Sequence, residues 1–134
     1  ILQPTSPFRK SEDIDSCIKK AHETGADSVM AMYKIVNFSL KKIKKLDGDK
    51  ILPYLEGFDE IKESSSRDIS ELAYKRNSSV YLTRVPLIMT GDLFGADSRA
   101  HIMPTETAVD IDEPSDFELA EFIAEKRFKY EDIN

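Results

Sequence analysis

Two apolar segments with a helical pattern between them constrain the fold of this 134-residue chain more than any other feature. Ile1 and Leu2 precede a polar loop, and apolar residues then recur at helical spacing over residues 11–23, where Gly25 ends the pattern. Residues 29–33 form a continuous apolar run, which is typical of a strand buried on both faces. Because parallel strands need a crossover connection, this order predicts a right-handed strand–helix–strand unit in an α/β sheet. We expect the first strand of that unit to begin upstream of Ile1.

Charge and cysteine content exclude several classes of function. The net charge of −6 argues against a general nucleic-acid binder or a protein that docks on anionic membranes, since both need a basic surface. Cys17 is the single cysteine, which excludes a disulfide framework and a cysteine-rich metal site. Its spacing from Ile14 and Ile18 places it in a helix core rather than at a nucleophilic site. No apolar run approaches the roughly 18 residues of a membrane-spanning helix. The lone cysteine fits a reducing compartment, so we expect a cytoplasmic protein.

Residues 37–66 differ in sequence pattern from the rest of the chain. Leu40, Ile43 and Leu46 alternate with lysines, and the sequence DGD at residues 47–49 is typical of a hairpin turn. We predict an antiparallel hairpin that projects from the main sheet, followed by an exposed serine-rich loop. The lysines either form the solvent-exposed face of the hairpin, which the alternation favours, or bind phosphate.

The last part of the chain predicts short elements that alternate with polar turns. Strands are expected at residues 79–83 and 100–103, with a short helix at residues 86–89 between them. Ser115 and Glu118 have the spacing of a capping box, which predicts a helix from there to about residue 126.

Asp110 and Asp112 are the residues best suited to metal chemistry. They lie in the alternating segment VDID at residues 109–112, and side chains two residues apart on a strand point to the same face. Two carboxylates so placed can hold a Mg²⁺ ion that also contacts substrate phosphates. The alternative is an ordinary polar turn before the last helix, which the abundance of acidic residues favours.

The opening loop offers polar groups where a substrate pocket is expected. In open α/β sheets ligands bind outside the carboxyl ends of the strands, and this loop follows the apolar pair Ile1 and Leu2. Gln3, Thr5 and Ser6 supply an amide and two hydroxyls between prolines that fix the backbone, which suits a polyhydroxylated ligand. An ordinary turn before the helix is the alternative.

Taken in order, these segments resemble the acylneuraminate cytidylyltransferase family, whose members make CMP-sialic acid and related CMP-activated sugars. The resemblance covers nearly the whole chain and corresponds to the C-terminal two thirds of such an enzyme. It is carried by LQPTSPFR (residues 2–9), ADSV (26–29), Arg67, Tyr74, NSSVY (77–81), MPTE (103–106), VDID (109–112), Asp116 and Phe117.

The resemblance implies a three-layer Rossmann-like fold of the nucleotide-diphospho-sugar transferase type, with a mainly parallel sheet and a projecting antiparallel hairpin. It implies that CTP and a sialic-acid-like nonulosonic acid react to give a CMP-sugar and pyrophosphate, with Mg²⁺ held by the catalytic pair Asp110 and Asp112. The substrate-binding positions expected from the loop and the resemblance are Gln3, Thr5, Ser6, Lys41, Arg67, Lys75, Asn77 and Tyr81.

The resemblance also implies an assembly and a missing part. Family members are homodimers in which the hairpin reaches the neighbouring site, so residues 37–66 are expected to form the dimer contact within one partial cytidylyltransferase domain at residues 1–134. The CTP loop lies in the N-terminal third of the family, so we expect this chain to be inactive alone. Ser78 and Asp68 stand where the family usually has glycine and glutamine. The alternatives are a related nucleotide-sugar glycosyltransferase and a non-catalytic dimerisation module.

Overall fold

The structure, a computed structural model, describes residues 1–35, 43–54 and 73–131, with side chains to residue 126. It divides into two units, Ile1–Lys34 with Tyr74–Asn134, and Ile35–Ala73. The elements of the first unit are α1 (Ser11–Thr24), β1 (Ser28–Lys34), β4 (Tyr74–Thr83), α2 (Val85–Met89), β5 (Ser98–Met103), a 3₁₀ helix (Thr105–Thr107) and α3 (Pro114–Glu131). Those of the second unit are β2 (Lys44–Asp47) and β3 (Lys50–Pro53). Among the helices described, none combines the length and apolarity needed to cross a bilayer.

The sheet of the first unit is mixed, with the strand order β4-β1-β5. β1 runs parallel to β5, from Ser28 opposite Ser98 to Tyr33 opposite Met103, and antiparallel to β4. The predicted α/β class is confirmed. The expectation of a mainly parallel sheet is wrong for the described strands, because β4 pairs with the central strand in the opposite direction.

The opening residues lie along the other edge of β4. Ile1 and Tyr81 exchange two backbone hydrogen bonds of 2.7 and 3.0 Å, which is the pattern of an antiparallel pair. Ile1 and β1 are therefore parallel and connected through α1, as predicted. They are not neighbours, however, because the antiparallel strand β4 lies between them.

A bulge interrupts β4 in the middle. Met30 pairs with Tyr81, whereas Met32 pairs with Arg76, so residues 77–80 lie opposite the single residue Ala31. Bulges leave the extra residues of the bulged strand unpaired and re-aim side chains. The strand was expected at residues 79–83; β4 begins earlier, at Tyr74, so Asn77 lies within it, in this bulge.

Helix α1 covers one face of the sheet through a small buried cluster. Cys17 is fully buried and packs with Val29, Ala31, Val80 and Met103. Burial raises the pKa of its thiol to about 11, so the thiolate is scarce at neutral pH and the predicted core role is confirmed.

The bounds of α1, Ser11–Thr24, agree to within one residue with the helical pattern predicted for residues 11–23. Lys10 is the N-cap residue of α1, and its N–H donates to Asp13 Oδ2 at 2.9 Å. The predicted stop is confirmed, because Gly25 adopts a left-handed conformation with φ of 67° and its N–H bonds to the carbonyl of Ala21.

The loop before β5 is held against the start of β1. Asp27 Oδ2 accepts the N–H groups of Ala96 and Asp97 at 3.0 and 3.1 Å. Gly95 has φ of +69°, and a Cβ atom at that position would lie 2.5 Å from the Cβ of Asp27. Only glycine therefore fits between this loop and Asp27 without displacing it.

The second unit contains the predicted hairpin. β2 and β3 pair antiparallel from Lys44 opposite Pro53 to Asp47 opposite Lys50, and Gly48 has the positive φ of 62° that this turn requires. The paired residues Leu46 and Ile51 are 71% and 67% exposed. The remaining parts of the predicted projecting region, residues 37–42 and 55–66, lie outside the described residues.

Helix α3 begins differently from the prediction. Its first residue is Pro114, which suits the first helical position because proline has no N–H to leave unpaired. Asp116 Oδ2 accepts the N–H groups of Asp112 and Glu113 at 3.0 and 2.9 Å. The predicted capping box of Ser115 with Glu118 is therefore wrong, since Asp116 takes that role. The helix also extends beyond residue 126, to Glu131.

Candidate functional site

A cavity of about 300 Å³ lies at the carboxyl ends of β1 and β5. Ligands of open α/β sheets bind at this end of the parallel strands, so the location agrees with the sequence-based expectation. The side chains on which the chemistry of the cavity depends are Tyr33, Lys75, Asn77, Asp110, Asp112 and Asp116. Four of the ten predicted site residues, namely Lys75, Asn77, Asp110 and Asp112, thus line one cavity.

Asp110 is joined to the bulge of β4 by a short hydrogen bond. The hydroxyl of Ser78 donates to Asp110 Oδ2 at 2.6 Å, which is the length of a charge-assisted bond. The other oxygen, Asp110 Oδ1, is buried and has no hydrogen-bond partner among the described residues. A buried carboxylate oxygen without a partner is unfavourable, so this atom favours the approach of a cation or a proton donor.

Backbone contacts attach the opening loop to both neighbouring segments. The carbonyl of Thr5 accepts the N–H of Ile111 at 2.9 Å, between the two candidate metal ligands, and the N–H of Gln3 donates to the carbonyl of Ser78 at 3.4 Å. The loop, the bulge and residues 110–112 therefore form one connected wall. The side chains of Gln3, Thr5 and Ser6 do not line the cavity, although the hydroxyl of Ser6 is buried and without a partner in the described part of the chain.

Arg9 connects the opening loop to β4. Its Nη1 donates to the carbonyl of Gln3 at 3.1 Å and to the carbonyl of Ser79 at 2.9 Å. An arginine near the expected pocket could have bound an anion or remained on the surface. The structure gives it a third role, which is to hold the loop against β4.

Asp112 and Asp110 do not lie on a strand as predicted. Residues 109–112 have no regular secondary structure, because the backbone of Ile111 bonds to the opening loop and that of Asp112 to Asp116. Val109 and Ile111 are half-buried rather than core residues. Both carboxylates nevertheless reach the same cavity.

Asn77 is 3% exposed at the base of the cavity. Its Oδ1 accepts the N–H of Ser79 at 3.3 Å, and its Nδ2 contacts Met103 Sδ at 3.4 Å. Because sulfur is a weak acceptor and an amide nitrogen has two hydrogens, Asn77 retains donor capacity toward a ligand.

The cavity combines both signs of charge. Lys75 and Arg76 line it together with Asp110, Asp112 and Asp116. Such a cavity can accept a cation at its acidic side and an anionic group at its basic side. The guanidinium of Arg76 also lies 5.6 Å from the ring centroid of Tyr81 and 5.0 Å from that of Phe94, an arrangement that favours a cation–π contact.

The acidic residues fit a cation that is completed by its substrate. Within the described residues no three His, Cys, Asp or Glu side chains converge as a metal cage. Mg²⁺ is commonly held by one or two carboxylates together with water and substrate phosphates, so a cage is not required. The unpartnered Asp110 Oδ1 and the exposed carboxylate of Asp112 agree with that kind of site.

The remaining predicted positions are Lys41, Arg67 and Tyr81. Lys41 and Arg67 lie outside the described residues. Tyr81 does not line the cavity; its backbone pairs with Ile1 and its ring lies beside Arg76. Two functional contacts were not predicted from the sequence: Ser78 is a hydrogen-bond partner of Asp110, and Asp116 fixes the backbone at Asp112.

Comparison with known proteins gives a sequence relative that covers nearly the whole chain. No family model matches the chain. An N-acylneuraminate cytidylyltransferase from Escherichia coli is 30% identical over 128 residues, which is 95% of this chain. The predicted resemblance is confirmed. The chain spans about 30% of the length of that relative, a smaller share than the two thirds that the resemblance implied.

Proposed function

We propose that this chain carries the sugar side of a cytidylyltransferase that activates a sialic-acid-like nonulosonic acid with CTP. The observation that supports this most is the single cavity that joins Lys75 and Asn77 to Asp110 and Asp112. These residues are distant in sequence, and a 30% identical relative carries the name of that activity. The proposed fold of the whole enzyme is Rossmann-like, with CTP bound by residues outside this chain.

In the proposed reaction the anomeric hydroxyl of the sugar acid attacks the α-phosphorus of CTP, and the bond to the pyrophosphate leaving group breaks. Positioning and charge neutralisation dominate such transfers. Mg²⁺, when bound, supplies neutralisation of the phosphate charge. Asp110 and Asp112 are proposed to hold it. Lys75 is proposed to bind an anionic group of the substrates, and the Asn77 amide is proposed to orient the sugar.

Pyrophosphate release tests this function. The chain, extended upstream into a full-length protein, should release pyrophosphate from CTP in the presence of one of the sialic, legionaminic or pseudaminic acids. The 134-residue chain alone should release none, because the proposed CTP loop lies outside it. Absence of release with every sugar, in a folded full-length protein, would exclude this function.

A homodimer is part of the proposal. Leu46 and Ile51 are paired and largely exposed on the hairpin of the second unit, and burying both against a second copy would remove apolar surface from water. Light scattering should give the mass of a dimer, and the double substitution L46S/I51S should shift it toward the monomer. A monomeric mass for the unaltered protein at micromolar concentration would remove the hairpin from the proposal.

A further inference from the structure

We propose that Ser78 is a positioning residue for Asp110, which holds one carboxylate oxygen and leaves the other for a divalent cation. This inference rests on the proposed function, because it takes Asp110 as a ligand of the metal.

The asymmetry of the Asp110 carboxylate is the first support. Oδ2 accepts the Ser78 hydroxyl at 2.6 Å, while Oδ1 is buried and has no partner in the described part of the chain. A carboxylate held at one oxygen cannot rotate freely to exchange the two. The hydrogen bond therefore selects Oδ1 as the oxygen that a cation would stabilise.

The rigidity of both partners is the second support. The carbonyl of Ser78 accepts the N–H of Gln3, and the carbonyl of the next residue, Ser79, accepts Arg9 Nη1. On the other side, the N–H of Ile111 bonds to Thr5. The opening loop thus fixes the backbone at both ends of the Ser78–Asp110 bond, so its geometry does not depend on the two side chains alone.

The bulge of β4 explains why this serine can reach Asp110. Residues 77–80 lie opposite one residue of β1, so Ser78 is not confined to the regular alternation of the strand. Hydrogen-bonding partners of metal-binding carboxylates orient them and raise their affinity, and their removal commonly costs about 10–100-fold in metal affinity. We expect a loss at the lower end of that range, because Ser78 is a neutral donor.

Binding of Mn²⁺ to the 134-residue chain, followed by electron paramagnetic resonance, tests the inference without any turnover. S78A and S78G should each weaken Mn²⁺ binding about tenfold, and S78T should restore most of the affinity because it keeps the hydroxyl. S16A removes an exposed serine on α1 and should bind Mn²⁺ as the unaltered chain does. Thermal unfolding of each variant separates lost affinity from lost structure.

The variant D110N separates failure of this inference from failure of the proposed function. If D110N loses Mn²⁺ binding while S78A and S78G keep it, Ser78 has no positioning role and the proposed function stands. The same conclusion follows if S78T is as weak as S78A, because packing rather than the hydroxyl is then responsible. If D110N binds Mn²⁺ as well as the unaltered chain does, the metal role of Asp110 is contradicted together with this inference.

Discussion

Replacing Gly95 by alanine is expected to lower the free energy of unfolding by about 3 kcal/mol. Part of the loss is the cost of a left-handed conformation for a residue with a Cβ, since φ at this position is +69°. The rest arises because that Cβ would lie 2.5 Å from Asp27 Cβ and 2.8 Å from its Oδ2. Asp27 would have to move away from the two backbone N–H groups whose hydrogen bonds it accepts.

G91A is the matched control for this prediction. Gly91 also has a positive φ, of +82°, but no atom lies within 4 Å of a Cβ at its position. G91A should therefore lose only the conformational part, about 1–2 kcal/mol. Urea unfolding followed by circular dichroism measures both variants. Equal losses would show that the contact with Asp27 contributes nothing.

Removing either candidate metal ligand is expected to have the largest effect on activity. In a full-length, active protein, D110N or D112N should reduce Mg²⁺-dependent turnover at least about 100-fold, because a metal that neutralises phosphate charge contributes several kcal/mol to transition-state stabilisation. The exposed Glu118 on α3 provides the control, and E118Q should keep full turnover. Pyrophosphate release at several Mg²⁺ concentrations measures this.

The fold of the D110N and D112N variants is the control for this prediction. Both should remain folded, because each substitution replaces one oxygen by a nitrogen and keeps the side-chain volume. Turnover within a few fold of the unaltered protein for D110N and D112N would contradict the assignment, even if the cytidylyltransferase activity itself were established.

Local patterns predicted the elements of this fold well. The helical spacing around Cys17, the stop at Gly25 and the hairpin turn at Gly48 each depend on residues close in sequence, and the structure confirms all three. The antiparallel pairing of β4 with β1 depends on contacts between distant segments. No local pattern records that choice, so the mixed character of the sheet could not be predicted.

In the candidate site, too, features set by neighbouring residues were predictable and features set by distant segments were not. Asp110 and Asp112 are conspicuous because they are close in sequence, and the expected location at the carboxyl ends of parallel strands follows from general rules. The bond between Ser78 and Asp110 joins residues 32 apart and depends on a bulge, which looks like regular strand composition in the sequence. The role of Asp116 was missed because Ser115 and Glu118 offered a more familiar capping pattern one residue away.

In a regular strand the same residues both pair with the neighbouring strand and present side chains to a site. The bulge in β4 assigns these two roles to different residues. Pairing with β1 is present on both sides of residues 77–80, at Arg76 and at Tyr81, so Asn77 and Ser78 lie outside the paired register. Asn77 lines the cavity and Ser78 bonds to Asp110, so substitutions at these two positions can change what the cavity accepts without replacing a residue of the paired register. Directed evolution of ligand preference in this protein should therefore begin with a two-residue library at the bulge.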